Sequence, residues 1–242
     1  MFIIFNKEIK NYFDSLYGFV MVVIFFLINS LIVWFFPSTN VFQYGFGSLD
    51  VFFEIVPYIF MFIVPALTMK SISEEKNLGT FEILLSQPIS LQNIVFGKLL
   101  SSWFISFLLV FFTFPYWISI YNLSNPIGNI DSLIIINSYL GLILLVGSMN
   151  SIGIFFSSLS QNQILSFILS AFFCYFLYEG IDMINYYDSI NYSDSFINHF
   201  SFSHHYLNFT RGILQLNSLI FFLIIIVLFF TMTLFNLKRE IK

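Results

Sequence analysis

Long stretches without a charged residue constrain this chain more than any other feature. No Asp, Glu, Lys or Arg occurs in residues 15–49, 99–130, 132–178 or 212–237. Each stretch can hold at least one helix of about 20 apolar residues, the length that crosses the hydrocarbon core of a bilayer. Only 9% of the residues are charged, whereas soluble domains carry about 25%. The sequence therefore predicts an integral membrane protein.

The spanning segments are predicted to be helices, because the alternation typical of a membrane barrel is absent. The stretch 132–178 is too long for one crossing, and its polar patch at 157–163 divides it into two. We expect an all-α integral membrane protein that forms one domain over residues 1–242, with six transmembrane helices. The predicted spans are residues 18–36, 51–69, 94–120, 132–156, 164–181 and 218–236.

Three segments are predicted to lie outside the spans. Residues 1–17 have the pattern of an amphipathic helix in the headgroup plane, with apolar residues on one face and lysines elsewhere. Residues 70–92 connect spans two and three and carry a dense cluster of charge. Residues 182–217 form an outer segment before the last span.

The cations predict the orientation. Eight of the nine lie at the chain ends or around the central charged segment, and only Arg211 lies on the other side: Lys7, Lys10, Lys70, Lys76, Lys98, Lys238, Arg239 and Lys242. Loops on the cytoplasmic side carry an excess of Lys and Arg. We therefore expect both termini and residues 70–92 to be cytoplasmic.

Residues 70–92 have the signals of ordered local structure. Residues 71–74 have the spacing of a capping box, and Gly79 is a natural helix stop. Thr80 is predicted to cap a short helix that ends before Pro88.

Leu78, Phe81 and Leu85 recur at three- and four-residue spacing on this short helix, with Glu82 in its first turn. The pattern favours a docking surface for a partner. The alternative is an ordinary charged loop on the cytoplasmic side.

Span four carries a stripe of small and polar residues at which another helix can approach closely. The stripe consists of Asn137, Gly141, Ser148 and Ser151, and Leu145 is expected to face lipid.

No motif for catalysis or nucleotide binding is found. Gly97-Lys98 lacks the partner glycine of a phosphate-binding loop, and there is no serine elbow. His199, His204 and His205 fit no metal-ligand spacing, so we interpret them as structural. We expect no enzymatic activity, cofactor or metal in this chain. Glu54 and Glu179 lie about one turn inside their spans, so we expect the carboxylates of both to reach the headgroups. The alternative is a functional role, because carboxylates within a membrane often mark functional sites.

The central segment resembles the type 2 ABC transporter permeases. Residues 65–76, 79–85, 88–90 and 97–98 resemble the family pattern E-K/R-x-x-G-T-x-E-x-L-L-x-x-P-I/V-S, followed by G-K. In that family the segment lies between spans two and three, and forms the coupling region that contacts the ATPase. The resemblance implies a coupling region at 70–92. Its contact residues would be Glu74, Glu75, Gly79, Thr80, Phe81, Glu82, Leu85 and Pro88.

Other segments resemble the gliding-motility-associated permease of Bacteroidota. They are residues 12–16, 34–37, 199–200 and 209–212. Residues 215–217 depart from that branch, because Gln-Leu-Asn replaces its usual acidic residues.

The resemblance implies a permease subunit, exporter-type and gliding-associated, in a bacterial inner membrane. Its partners would be a separate ABC ATP-binding subunit, a second permease copy or related half, and membrane lipid, but no nucleic acid. Two alternatives remain. One is a non-transporting membrane anchor for a cytoplasmic complex. The other, a secondary transporter, is disfavoured because buried charge and broken Gly-rich helices are scarce.

Overall fold

The computed structural model describes residues 1–36, 49–183 and 199–241, and every regular element within them is helical. In chain order the elements are α1 (Phe2–Asp14), α2 (Leu16–Trp34), α3 (Asp50–Thr68), α4 (Ser73–Asn77), α5 (Thr80–Leu85), α6 (Leu91–Phe111), α7 (Phe114–Leu123), α8 (Ser132–Leu159), α9 (Gln163–Tyr175), a π-helix (Phe176–Gly180), α10 (Phe202–Thr210) and α11 (Leu216–Ile241).

Six helical stretches in these residues are long and apolar enough to cross a membrane. Span one is α2, span two is α3, span four is α8 and span six is α11. Span three is α6 continued by α7, and span five is α9 continued by the π-helix. The prediction of an all-α integral membrane protein with six spans is confirmed.

Span three is not one continuous helix, in contrast to the single helix predicted over residues 94–120. It breaks at Phe112 and Thr113, and α7 restarts with Pro115 in its first turn. Proline lacks the N–H that would continue the hydrogen-bond ladder, and is tolerated in a first turn for that reason.

Span four lies at the centre of the bundle and packs against spans two, three, five and six and against α10. Its glycines permit close approach. A Cβ on Gly147 would lie 2.9 Å from Nε1 of Trp103 in span three, and one on Gly153 would collide with Thr68 of span two.

Three of the four residues of the predicted stripe on span four are buried, and Asn137 is half-buried. A Cβ on Gly141 would lie 2.6 Å from Cβ of Phe209 in α10. The side chains of Ser148 and Ser151 are buried, and each hydroxyl donates to a carbonyl of the preceding turn. The expectation that Leu145 faces lipid is wrong, because it is fully buried in the same core. The lipid-exposed side of this helix carries Leu140 instead.

Helix α1 lies across the start of span three. Ile4 and Glu8, one turn apart, are buried against α6, while Phe2 and Phe13 are exposed. The exposed side of α1 thus mixes apolar residues with polar ones such as Lys7 and Lys10, and its position in the headgroup plane stays a prediction.

Both ends of the chain meet the coupling region. Lys7 of α1 forms an ion pair with Glu75, and Glu240 of α11 forms one with Lys76. We call this end of the bundle the coupling end, and the end that carries α10 and the start of α11 the outer end.

Part of the outer segment forms a helix that the sequence analysis did not predict. Phe202, Tyr206 and Phe209 of α10 are buried, and the Tyr206 hydroxyl donates to the carbonyl of Phe53. Residues 37–48 and 184–198 of the predicted loops lie outside the described residues.

Candidate functional site

The coupling region begins where span two ends, and one tyrosine of α1 and one at the start of span one bind carbonyls of that helix end. The last carbonyls of a helix have no partner within the helix. Tyr17 donates to the carbonyl of Ala66 at 2.5 Å, and Tyr12 donates to that of Leu67. Burial raises the pKa of the Tyr12 phenol, so this hydroxyl remains a donor. Helix α1 is thereby joined to the entrance of the coupling region.

The start of α4 is held by span four rather than by a capping box. The predicted box at residues 71–74 is wrong, because α4 begins at Ser73 and no side chain of the segment caps it. The hydroxyl of Ser157 accepts instead from the backbone N–H groups of Ile72 and Ser73, at 3.0 and 3.1 Å. It also donates to the carbonyl of Met69. A cap supplied from a distant helix cannot be read from local spacing.

Lys76 joins the same region to spans four and six. Its ammonium donates to the carbonyl of Ser158 and to the carboxylate of Glu240. Asn236 of span six also donates to the Ser158 carbonyl, at 3.0 Å. Helix α4 is therefore bonded to both spans.

A left-handed glycine joins α4 to α5. Gly79 has φ +70°, which an L-residue with a side chain rarely adopts. The predicted helix stop at this residue agrees with the structure. The prediction that Thr80 caps the next helix is wrong, because its hydroxyl donates back to the carbonyl of Glu75 at 3.3 Å.

The apolar residues of this segment divide between two sides. Phe81 is 6% exposed and packs in a cluster with residues of spans three, four and six, and Leu85 packs partly against that cluster. The expectation of an apolar anchor at Phe81 for a partner is therefore wrong in this conformation. Among the large apolar side chains of residues 70–92, all described, only Leu78 at 69% and Ile83 at 64% are exposed.

The acidic residues of the coupling region also differ in position. Glu82 is exposed in the first turn of α5. Pro88, the remaining predicted contact residue, is also exposed, beyond the end of that helix. Glu74 is half-buried. Glu75 faces the bundle, where its carboxylate lies 2.8 Å from Nζ of Lys98. Glu75 is therefore turned away from any partner that docks on the exposed side.

The coupling region is thus fixed to the bundle on one side and exposed on the other. A family model for ABC-2 family transporter proteins matches residues 2–240 of the chain. The chain belongs to the ABC-2 transporter family. It is accordingly a permease subunit of an ABC transporter. A comparison with curated proteins finds no match.

At the outer end of this ABC-2 permease lies a polar cavity of about 610 Å³. Glu54 and Tyr58 line it from span two, Glu179 from the π-helix and Arg211 from the end of α10. The Tyr58 hydroxyl donates to the carboxylate of Glu179. This contact joins spans two and five, and the expectation that Glu179 reaches the headgroups stays a prediction. Charged groups in spans usually face a bundle interior or a water-filled cavity, because lipid solvates them poorly.

A second cavity of the permease opens sideways. It measures about 610 Å³ and has an almost wholly apolar lining from spans one, two and five. Span one is correspondingly little buried: only Phe25, Asn29 and Val33 among its residues Leu16–Trp34 are buried.

Of the three histidines of the permease, His205 is buried among structural contacts, whereas His199 and His204 are exposed. His205 is buried, its Nδ1 lies 3.0 Å from the Ser218 hydroxyl, and its Nε2 lies 2.9 Å from the carbonyl of His199. The ring stacks on Phe221 at 4.1 Å. Within residues 1–36, 49–183 and 199–241, no cluster of His, Cys, Asp and Glu has the arrangement of a metal site.

The sequence analysis missed the buried ion pairs of Lys98. One available signal was that Lys98 falls inside a predicted span without an acidic residue nearby in sequence. A lysine at such a position needs a partner from elsewhere in the fold.

Proposed function

We propose that this permease subunit carries the movement of an ABC ATP-binding subunit from the coupling region into a translocation pathway between two permease halves. The coupling end faces the cytoplasm of a bacterial cell and the outer end faces away from it. Seven of the eight cations in the described residues lie at the coupling end, which supports this orientation.

The observation that carries the proposal is the two-sided character of the coupling region. Its inner side is bonded to α1 and to spans three, four and six through Glu75, Lys76 and Ser157. Its outer side exposes Leu78 and Ile83. A surface that binds a moving partner must be exposed, and must also be rigidly connected to the elements that it moves.

The docking face proposed here differs from the one expected from the sequence. Leu78 and Ile83 replace Phe81 and Leu85 as the apolar contacts, and Glu82 remains an exposed carboxylate for a cation of the partner. Apolar residues at the centre of an interface contribute most of its binding free energy.

The pathway is proposed to run along spans two and five, next to a second permease half. Glu54 and Tyr58 are exposed on span two in this single chain, and lipid is a poor surrounding for such groups. A second copy or related half that faces them across water would enclose a polar route.

Export in a gliding-motility-associated system is the finer assignment that we propose. It is supported by the resemblance of residues 12–16 and 209–212 to that branch. Adjacent genes for an ATP-binding subunit and for gliding proteins would support it, and a neighbourhood of unrelated genes would contradict it.

Co-purification with the co-expressed ATP-binding subunit tests the docking face. Truncation of an interface anchor costs about 2 kcal/mol or more, which weakens binding roughly thirtyfold. We expect Leu78→Ala with Ile83→Ala to lose the partner at unchanged membrane expression. Leu214→Ala, exposed at the outer end, is the matched control and should retain it. Retention by the Leu78 and Ile83 variant would contradict the assigned face.

A further inference from the structure

Lys98 is a fully buried lysine at the coupling end. It lies in the third turn of α6 and is 1% exposed. A buried ammonium is strongly unfavourable unless each of its three donors has a partner. Its Nζ lies 2.7 Å from Oε1 of Glu8, 2.6 Å from the carbonyl oxygen of Ser71 and 2.8 Å from Oε2 of Glu75. Two of the donors therefore form hydrogen bonds, to Glu8 and to Ser71, and the contact with Glu75 is an ion pair without hydrogen-bond geometry.

The three partners of Lys98 come from three separate parts of the chain. Glu8 belongs to α1, Ser71 to the turn after span two, and Glu75 to α4. Lys7 adds a second cation at 3.2 Å from Oε1 of Glu75. Two carboxylates are thus balanced by two ammonium groups.

Gly97 explains how α1 comes close enough to make this contact. A Cβ at Gly97 would lie 3.1 Å from Cγ2 of Ile4, a tighter contact than side chains usually adopt. Ile4 and Glu8 are one turn apart on α1 and occupy the same face. Gly97 lets α1 approach closely at Ile4, and Lys98 binds α1 at Glu8.

Stability alone is a weak reason for such a site. Apolar side chains of similar size often stabilise a fold as well as a buried ion pair does. An ammonium with two charge-assisted or directed hydrogen bonds and a further ion pair instead fixes the geometry of the groups around it. The contact at Lys98 is also the place where α1, the coupling region and span three meet.

We propose that Lys98 is a positioning residue that holds α1 and the coupling region together as one unit on span three. Movement imposed on the coupling region then carries α1 with it. The proposal rests on the proposed docking of an ATP-binding subunit, since that subunit supplies the movement.

The first test measures the fixed geometry and needs no partner. Spin labels are placed at Asn6→Cys in α1 and Asn77→Cys at the end of α4, both exposed, in a chain carrying Cys174→Ala. In lipid nanodiscs we expect a narrow distribution of distances between the two labels in the otherwise native chain. Glu8→Met should broaden this distribution, because Lys98 then retains its contacts with Glu75 and Ser71 but loses its contact with α1. Asp14→Asn removes the same charge from an exposed site on the same helix, and should leave the distribution narrow.

The second test measures coupling in the complex with the ATP-binding subunit. Changes along a coupling network alter it by 0.5 to 2 kcal/mol, which corresponds to roughly two- to thirtyfold. We expect Glu8→Met to lower vanadate-sensitive ATP hydrolysis per assembled complex by about tenfold, while the amount of bound subunit stays unchanged. A purely structural role would lower the yield of complex and leave its specific rate unchanged.

A variant without buried charge keeps the proposal testable if Glu8→Met folds poorly. Lys98→Met with Glu8→Gln and Glu75→Gln leaves no buried unpaired ion, because Lys7, which loses Glu75, is exposed. This variant should assemble yet show the broad distribution and the low rate. A narrow distribution or a native rate in a folded variant would overturn the role of Lys98. Failure of the native chain to bind the ATP-binding subunit would contradict the proposed function. The distances between the spin labels, measured without that subunit, would still decide whether Lys98 holds α1.

Discussion

At the scale of single residues, a buried histidine makes the stability of the outer end depend on pH. Burial lowers the pKa of His205 from its ordinary value of 6.5. The unfolded chain therefore binds a proton at pH values where the folded chain does not. The free energy of unfolding is then largest above pH 6.5 and falls as the pH drops from that value toward the lowered folded pKa.

Thermal unfolding of the detergent-solubilised protein between about pH 7.5 and 5 checks this dependence. We expect His205→Gln to flatten the decline on the acid side, because it removes the group that gains a proton on unfolding. His204→Gln alters an exposed neighbour and should keep the slope. An identical slope in the His205 variant would assign the acid sensitivity to other groups.

At the scale of helices, span four is the element that the others pack against. Gly141→Leu places a side chain where a Cβ alone would lie 2.6 Å from Phe209. Overpacking of a core costs about 1–3 kcal/mol, so we expect a lower yield of monodisperse protein and a lower melting temperature. Ser148→Leu, at a fully buried position, should behave in the same way.

The matched control for span four is Leu140→Phe. Leu140 is 45% exposed, and a larger apolar side chain at a lipid-facing position should be tolerated. Size-exclusion profiles of fluorescent fusions provide the comparison. Equal profiles for Gly141→Leu and Leu140→Phe would show that the stripe does not form a tight helix contact.

The helices differ in how far the sequence could predict them. Spans follow from composition, because a bilayer requires long apolar helices whatever their neighbours are. Helix α10 is short and lies in a polar segment, although Phe202, Tyr206 and Phe209 show helical spacing. The cap from Ser157 and the three partners of Lys98 depend on contacts between distant residues, and local patterns carry no information on those.

At the scale of the whole molecule, orientation and the water-filled route can be tested together. A membrane-impermeant thiol reagent is applied to intact cells expressing single-cysteine variants with Cys174→Ala. We expect labelling of Gln215→Cys at the outer end and of Glu54→Cys in the polar cavity, but not of Asn77→Cys at the coupling end. Leu140→Cys, which faces lipid, should also stay unlabelled.

Labelling at Asn77→Cys would reverse the orientation argued from the lysines. A pattern in which Gln215→Cys reacts and Glu54→Cys does not would place the cavity against lipid or protein, and would contradict a pathway along spans two and five.

The central claim is that this permease changes the ATP hydrolysis of its partner through the coupling region, rather than anchoring that partner. The direct measurement is vanadate-sensitive ATP hydrolysis by the ATP-binding subunit in proteoliposomes, with and without the permease. We expect a higher rate with the native permease than for the subunit alone, and loss of that increase with Leu78→Ala and Ile83→Ala. A rate equal to that of the subunit alone, at full binding of the subunit, would contradict the claim and identify the chain as a membrane anchor.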